Sequence, residues 1–317
     1  PGTVIFEDPP LHTRHRALLS RMFTPRTVTS LEPKIRQYCI DALAELDGTD
    51  SFDLVAAYAS QVPMRVISLL FGVPEELQQT FRDYTEEHTR GEEGKPPDVN
   101  DMDLGGGVFA EYVDWRAKNP SDDMTTRLLT TEFEDHTGTV RTLTREEVLA
   151  YFTIISGAGN ETTAKLIGWT GKLLAEHPDQ RRHIVEDRSL LVPAIEEILR
   201  FETVGPQNAR YVASPVEFHG DTIPAGSVLV LLMASGNRDD RRFVRGDTFD
   251  IHRPPAPILT FAHGIHFCLG ASLARLEGRI ALDELLNRFP EWDVDIDAAH
   301  LAYSPVTRGW DSLPVTV

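Results

Sequence analysis

Apolar residues recur at helical spacing over most of this chain, and prolines punctuate the runs. Pro9 and Pro10 suit the first turn of a helix, with Asp8 as its cap; that helix runs to about Phe23 and stops at Pro25. Residues 26–47 and 54–71 carry amphipathic helical patterns, the second with Pro63 as a kink or break. The pattern continues over 75–90. Residues 91–107 (GEEGKPPDVNDMDLGGG) have no apolar period and predict a mobile loop. A helix over 108–118 ends at Asn119-Pro120. The longest element starts at Thr144, which with Glu147 has capping-box spacing, and runs to His177 before Pro178 stops it. About 33 residues at ~1.5 Å each make roughly 50 Å, enough to cross a whole domain.

A helix over 190–201 precedes a change of character. Residues 210–232 hold short β-like runs broken by Pro and Gly; a charged, proline-bearing loop follows, then a helix over 269–289. The tail, 291–317, alternates as short strands. The expected fold class is mainly α with a small β region (α+β), in a single domain over 1–317.

At 317 residues and 41% hydrophobic, the chain is long enough for a sizeable core. An excess of 49 acidic over 31 basic residues, net charge −18, argues against nucleic acid as a partner. No apolar run reaches the roughly 18 residues of a membrane span, and no basic-then-apolar leader is present. Cys39 and Cys268 are the only cysteines, too few for an iron–sulfur cluster or a disulfide framework, so a reducing cytoplasm is expected. The chain opens at Pro1 without an initiator methionine and reads as cut from something longer.

Chemistry concentrates in a few short stretches. Residues 261–270 read FAHGIHFCLG and run into a helical pattern, so backbone N–H groups and the helix dipole would favour a thiolate at Cys268. Gly264 and Gly270 allow backbone geometries that a side chain would obstruct. A plain alternative is a buried cysteine beside a helix start. Another makes His263, His266 and Cys268 zinc ligands, though no fourth ligand is evident nearby. Inside the long helix, Gly157-Ala158-Gly159-Asn160-Glu161-Thr162-Thr163 fits close helix packing; a dinucleotide loop fails because Thr162 stands where the third glycine belongs. Glu197 and Arg200 are spaced i,i+3, with Glu196 a competitor for the arginine, and His12 and Arg16 are spaced i,i+4.

In this order along the chain, these features resemble the bacterial, soluble class of cytochromes P450. Phe261, Gly264, His266, Cys268 and Gly270 match the family's haem-binding pattern F-G-x-G-x-H-x-C-x-G, with Ala262 in place of the usual glycine. The resemblance implies haem b, with the Cys268 thiolate as its axial iron ligand. It implies that Ala158 and Gly159 leave room beside the iron. Glu161 and Thr162 become the acid–alcohol pair that holds water and relays protons to oxygen. Glu197 and Arg200, joined by Arg253 from the loop 247–253, become a structural network behind the haem. His12, Arg16, Arg210 and His266 match the family's partners for the haem propionates.

Further implications concern partners. Arg14, Arg21, Arg275 and Arg279 would form a basic patch for an acidic ferredoxin. Ile154, Ile155, Val204-Gly205-Pro206 and Val306-Thr307 would face the distal pocket, with 91–107 as a lid. The resemblance runs from the first helix to the terminal strands, and the family's N-terminal portion has no counterpart. The chain is thus expected to have an N-terminally truncated P450 fold and to be a monomer. The implied activity is a monooxygenase that activates O2 and hydroxylates a small-to-medium apolar substrate, with electrons from a separate ferredoxin and reductase. One alternative is a haem-thiolate peroxygenase or rearrangement enzyme, against which Glu161 and Thr162 argue. The other is a non-catalytic haem-binding or helical structural protein, which predicts damage at Cys268, Glu197 or Arg200; all three are intact.

Overall fold

Thr144 and Glu147 form the capping box that their spacing predicts: each side chain bonds the other's backbone N–H. In the computed structural model, which describes residues 4–89, 107–304 and 306–317, they start the longest helix of the molecule. The loop expected over 91–107 lies outside the described residues, except Gly107, which opens a helix.

The chain begins with α1 (Leu11–Ser20), α2 (Pro25–Ser30) and α3 (Glu32–Ala44). The Asp8 side chain does not cap α1; its backbone carbonyl accepts the His12 N–H at 3.0 Å instead. The pattern read over 26–47 divides at Leu31, because Pro33 falls in the first turn of α3, where its missing N–H has no acceptor to lose. Strand β1 (Ser51–Asp53) and a π-helical turn (Val55–Ala59) precede α4 (Gln61–Phe71). Pro63 neither kinks nor breaks α4, since it too sits in a first turn. Then follow α5 (Glu75–Thr89), α6 (Gly107–Lys118), α7 (Met124–Thr130) and a small hairpin, β2 (Phe133–Glu134) with β3 (Val140–Arg141).

Helix α8 (Arg145–Glu176) is 32 residues long. Pro178 stops it but is also the first residue of α9 (Pro178–Glu186), a helix that reading the proline only as a stop had missed. After α10 (Leu191–Phe201) come the strands β4 (Asn208–Tyr211), β5 (Val216–Phe218), β6 (Asp221–Ile223) and β7 (Val228–Leu231). They pair antiparallel as β4–β7 and β5–β6. A short α11 (Met233–Asn237), a long loop and α12 (Ala271–Arg288) lead to β8 (Asp293–Val294), β9 (His300–Leu301), β10 (Trp310–Ser312) and β11 (Pro314–Thr316). The last strand lies between β1 and β8, with Phe52 opposite Val315, so the chain's C-terminus is stitched to its early helices.

Two apolar clusters hold α8 in the middle of this assembly. One gathers Ile35, Tyr58, Trp169, Ile198 and Leu285; the other packs Phe71, Phe81, Phe109 and Phe152, with Phe71 stacked on Phe152 at 4.0 Å. Phe23 and Leu70 border both. Each fully buried ring contributes about 1.5–3 kcal/mol, so α8 is held mainly by packing along its flanks. Among the described residues, no single helix is long and apolar enough to cross a membrane.

Candidate active site

The cysteine loop is a short, closed hairpin. The Cys268 N–H donates to the Phe261 carbonyl at 2.8 Å, and Arg16 on α1 donates to the Phe267 carbonyl at 2.6 Å. Gly264 has φ +76°, a conformation that favours glycine. Ala262, in the place of the family's glycine, has φ +58°, which costs a side-chain-bearing residue about 1–2 kcal/mol. Gly270 has an ordinary φ of −87° and no atom within 4 Å of where a Cβ would stand, so neither conformation nor crowding among the described residues calls for a glycine there.

Cys268 is exposed, whereas the segment's anchor, Phe261, is buried. Solvent reaches the sulfur from one side while protein crowds it on the others. That crowding pushes the thiol above its ordinary pKa, against the N–H groups of Gly270 and Ala271 and the charges of Arg16 and Arg275, which pull it down. The expected helix-start donors are present, but desolvation outweighs them, so the sulfur on its own is a thiol near neutrality.

Four cation-forming side chains gather beside this loop. His12 and His266 meet edge to face with ring centroids 4.6 Å apart. His12 is only 3% exposed, and its Nε2 has no hydrogen-bond partner among the described residues. Burial, then the charges of His266 and Arg16, lowers the His12 pKa; burial, then Arg210, lowers that of His266. Arg210 leaves β4 without a carboxylate partner among the described residues, and its guanidinium rests on the Ala209 carbonyl. Two guanidiniums beside two imidazoles that can take up protons, one of them with an unpaired buried nitrogen, make a site suited to an anion.

Helix α8 passes close by. Leu269 packs on the cluster that contains Tyr151 and Ile155. The helix is buried on both sides of its midpoint, yet Ala158 is exposed there and Thr162 is half-buried. The Thr162 hydroxyl donates to the Ala158 carbonyl at 2.6 Å. A Cβ on Gly159 would meet Ile67 Cδ1 of α4 at 2.4 Å, so the glycine also permits close packing of α8 on α4. The Glu161 carboxylate accepts a hydrogen bond from the Thr307 hydroxyl, while the Thr162 hydroxyl is given to Ala158. Thr307, expected on the distal pocket, is thus turned to Glu161, while Val306 is exposed.

Glu197, Arg200 and Arg253 come together as a buried network. Arg200, 1% exposed, makes a fork of two 2.7 Å bonds to Glu197 and gives its other donors to the carbonyls of Asn237, Gly246 and Thr248. Arg253 Nε lies 3.2 Å from both Glu197 oxygens, and the Asp250 N–H adds 2.9 Å. Glu196 does not compete; it pairs with Arg275. Three of the four arginines expected to form a basic patch are neutralised in this way: Arg14 by Glu134, Arg275 by Glu196 and Arg279 by Glu32. Among the described residues no three potential metal ligands cluster, which leaves the zinc reading of His263, His266 and Cys268 without a ligand set.

Known proteins resemble this chain over most of its length. The family model for Cytochrome P450 matches residues 107–298. The vitamin D(3) 25-hydroxylase of Pseudonocardia autotrophica is 38% identical over 319 residues, covering 99% of this chain and 77% of that protein. The cytochrome P450 monooxygenase PikC of Streptomyces venezuelae is 37% identical, covering 97% of this chain and 74% of that protein. The solved structure of the open cytochrome P450 EryK from S. erythraea has a TM-score of 0.90 at 32% identity, covering 100% of this chain and 81% of that one.

Proposed function

The chain belongs to the cytochrome P450 family, whose members are haem-using oxidoreductases, and on that premise we propose a haem-thiolate monooxygenase with haem b held by Cys268. Its substrate is a small-to-medium apolar organic molecule, and its electrons come from a separate ferredoxin-type donor. Hydroxylation is supported by the relative named a hydroxylase; that relative's own substrate is not carried over.

One observation carries the reading: an exposed thiol stands beside four cation-forming side chains, one of them a buried histidine with an unpaired ring nitrogen. Haem has the matching pattern, a metal at its centre and carboxylates at its edge. Cys268 would ligate the iron and lose its thiol proton in doing so. His12, Arg16, Arg210 and His266 would hold the propionates, which would give the His12 nitrogen a partner and favour the protonated form of both histidines. Gly264 and Gly270 keep the loop narrow where the porphyrin would approach, and Phe261 anchors it. When bound, haem supplies the iron centre at which O2 is activated.

The chain's residues then handle protons and access. Thr162 has its hydroxyl proton on the Ala158 carbonyl, so its oxygen faces the open side as an acceptor. Ala158 keeps that side clear, and Glu161 is the titratable group behind it. Arg200, Glu197 and Arg253 fix the segment that leads into the cysteine loop. An open groove between α2, α10 and α12, bordered by Arg275 and Arg279, offers the electron donor a surface. Its paired charges mean that docking there rests on shape and local contacts more than on net charge.

Turnover under isotopic oxygen tests the proposal. The haem-loaded protein, given a ferredoxin, its reductase and a panel of apolar compounds, should place one atom from 18O2 in each product, and Cys268→Ser should abolish this. Product oxygen drawn from water, or full turnover by peroxide without a reductase, would overturn it.

A further inference from the structure

We propose that Thr307, supported by Ser304, is a positioning residue that holds Glu161 towards a polar cavity beside α8, so that protons enter from the β9–β10 hairpin. The inference rests on the monooxygenase reading and names a route that reading leaves open.

Consecutive residues on an α-helix point about 100° apart, so Glu161 and Thr162 cannot face the same way. Thr162 turns its hydroxyl to the Ala158 carbonyl, whereas the Glu161 carboxylate is held by Thr307, 146 residues later. Thr307 is 8% exposed, and its hydroxyl oxygen lies 2.9 Å from that of Ser304, which also accepts the Thr307 N–H at 3.2 Å. Thr307 has one hydroxyl proton, and the carboxylate takes it; the contact with Ser304 is then made with the Ser304 proton. The result is a row of hydrogen bonds, Ser304 to Thr307 to Glu161.

Both ends of that row border a cavity of about 160 Å³ that opens to solvent, lined also by Arg82, Asn160, Lys165, Tyr303 and Asp311; no ion pair joins Arg82 to Glu161. Lys165 lies one helical turn beyond Glu161 and would pin it as a carboxylate if the two paired. Lys165 is committed elsewhere, to Asp311 at 2.7 Å and the Trp310 carbonyl at 3.0 Å. Glu161 makes no ion pair among the described residues. A relay acid must change its protonation state in each cycle, and a hydroxyl partner permits this where a salt bridge would resist it. A proton passing from Thr307 to Glu161 is replaced from Ser304, and that one from water in the cavity; no electron moves. Rotation of the Glu161 side chain then carries the proton round α8 towards Thr162.

The test compares Thr307→Val, Thr307→Ser and Glu161→Gln in the haem-loaded protein. Glu161→Gln identifies the Glu161 carboxylate band in the difference infrared spectrum. In Thr307→Val that band should shift, product per electron should fall roughly tenfold with peroxide release rising in its place, and the solvent isotope effect should grow. Thr307→Ser should behave as wild type, because it keeps the hydroxyl. If Thr307→Val does not fold, Ser304→Ala should raise peroxide release and the isotope effect in the same direction. An unmoved band with unchanged coupling, or Thr307→Ser as impaired as Thr307→Val, would overturn the inference. Wild-type protein that shows no thiolate-ligated haem spectrum would instead overturn the reading beneath it.

Discussion

Arg16 Nη2 donates to the carbonyl oxygen of Phe267 at 2.6 Å, which ties α1 to the residue preceding Cys268. One guanidinium thus braces the ligand loop and supplies one of the cations proposed for the propionates. Hydrogen bonds to charged groups contribute about 1.5–3 kcal/mol, so Arg16→Leu should weaken haem retention by roughly 10- to 100-fold. Haem transfer to apomyoglobin measures this, and an unchanged transfer rate would remove Arg16 from the account.

Ala262 at φ +58° stores strain that a glycine would not. Relief of about 1–2 kcal/mol is partly offset by glycine's greater unfolded freedom, about 0.5–1 kcal/mol. Ala262→Gly should therefore raise stability by up to about 1.5 kcal/mol in denaturant melts. A loss of stability would mean that the loop tolerates the left-handed alanine without strain.

Glu277 on α12 is 1% exposed, and its Oε2 has no hydrogen-bond partner among the described residues. Burial pushes its carboxyl from 4.5 up to about 8. The folded state thus keeps a proton that the unfolded state has released. The associated stability is complete below pH 4.5 and declines as pH rises through the window to about 8, by on the order of 1.4 kcal/mol per unit. Relative to Glu277→Gln, the wild type should lose thermal stability across that window and level off above it. Parallel profiles of the two proteins would contradict a neutral buried acid.

The two cysteines should differ in reactivity. Cys39 is buried and pushed up to about 12, first by burial, whereas the Cys268 thiol is open to solvent. Iodoacetamide should alkylate haem-free protein at Cys268 alone, faster as pH rises, and bound haem should block it. Peptide mapping that finds Cys39 modified in native protein, or Cys268 modified at an equal rate with haem bound, would count against this.

Much of this was legible in the sequence because it is local. The capping box at Thr144 and Glu147, the Glu197–Arg200 fork and the histidine–arginine turn of α1 each lie within one helical turn, where spacing determines direction. What could not be read joins distant parts of the chain. Phe52 meets Val315, Glu161 meets Thr307, and Lys165 is drawn off by Asp311; no local pattern encodes such pairs. Gly159 shows the same limit, since its close approach to Ile67 on α4 is not written in the local sequence. The pairing of the expected basic patch was hidden for a related reason: the carboxylates that meet Arg275 and Arg279 come from α10 and α3. Helix α9 was missed for a local one, because Pro178, which ends α8 as expected, also begins α9.

The central claim is that Cys268 holds haem iron as a thiolate. Reduction under carbon monoxide tests it most directly, because thiolate-ligated haem gives a red-shifted Soret band. The haem-loaded protein should show that band, and Cys268→Ala should lack it. A wild-type protein without the band, or a Cys268→Ala variant that keeps it, would contradict the account.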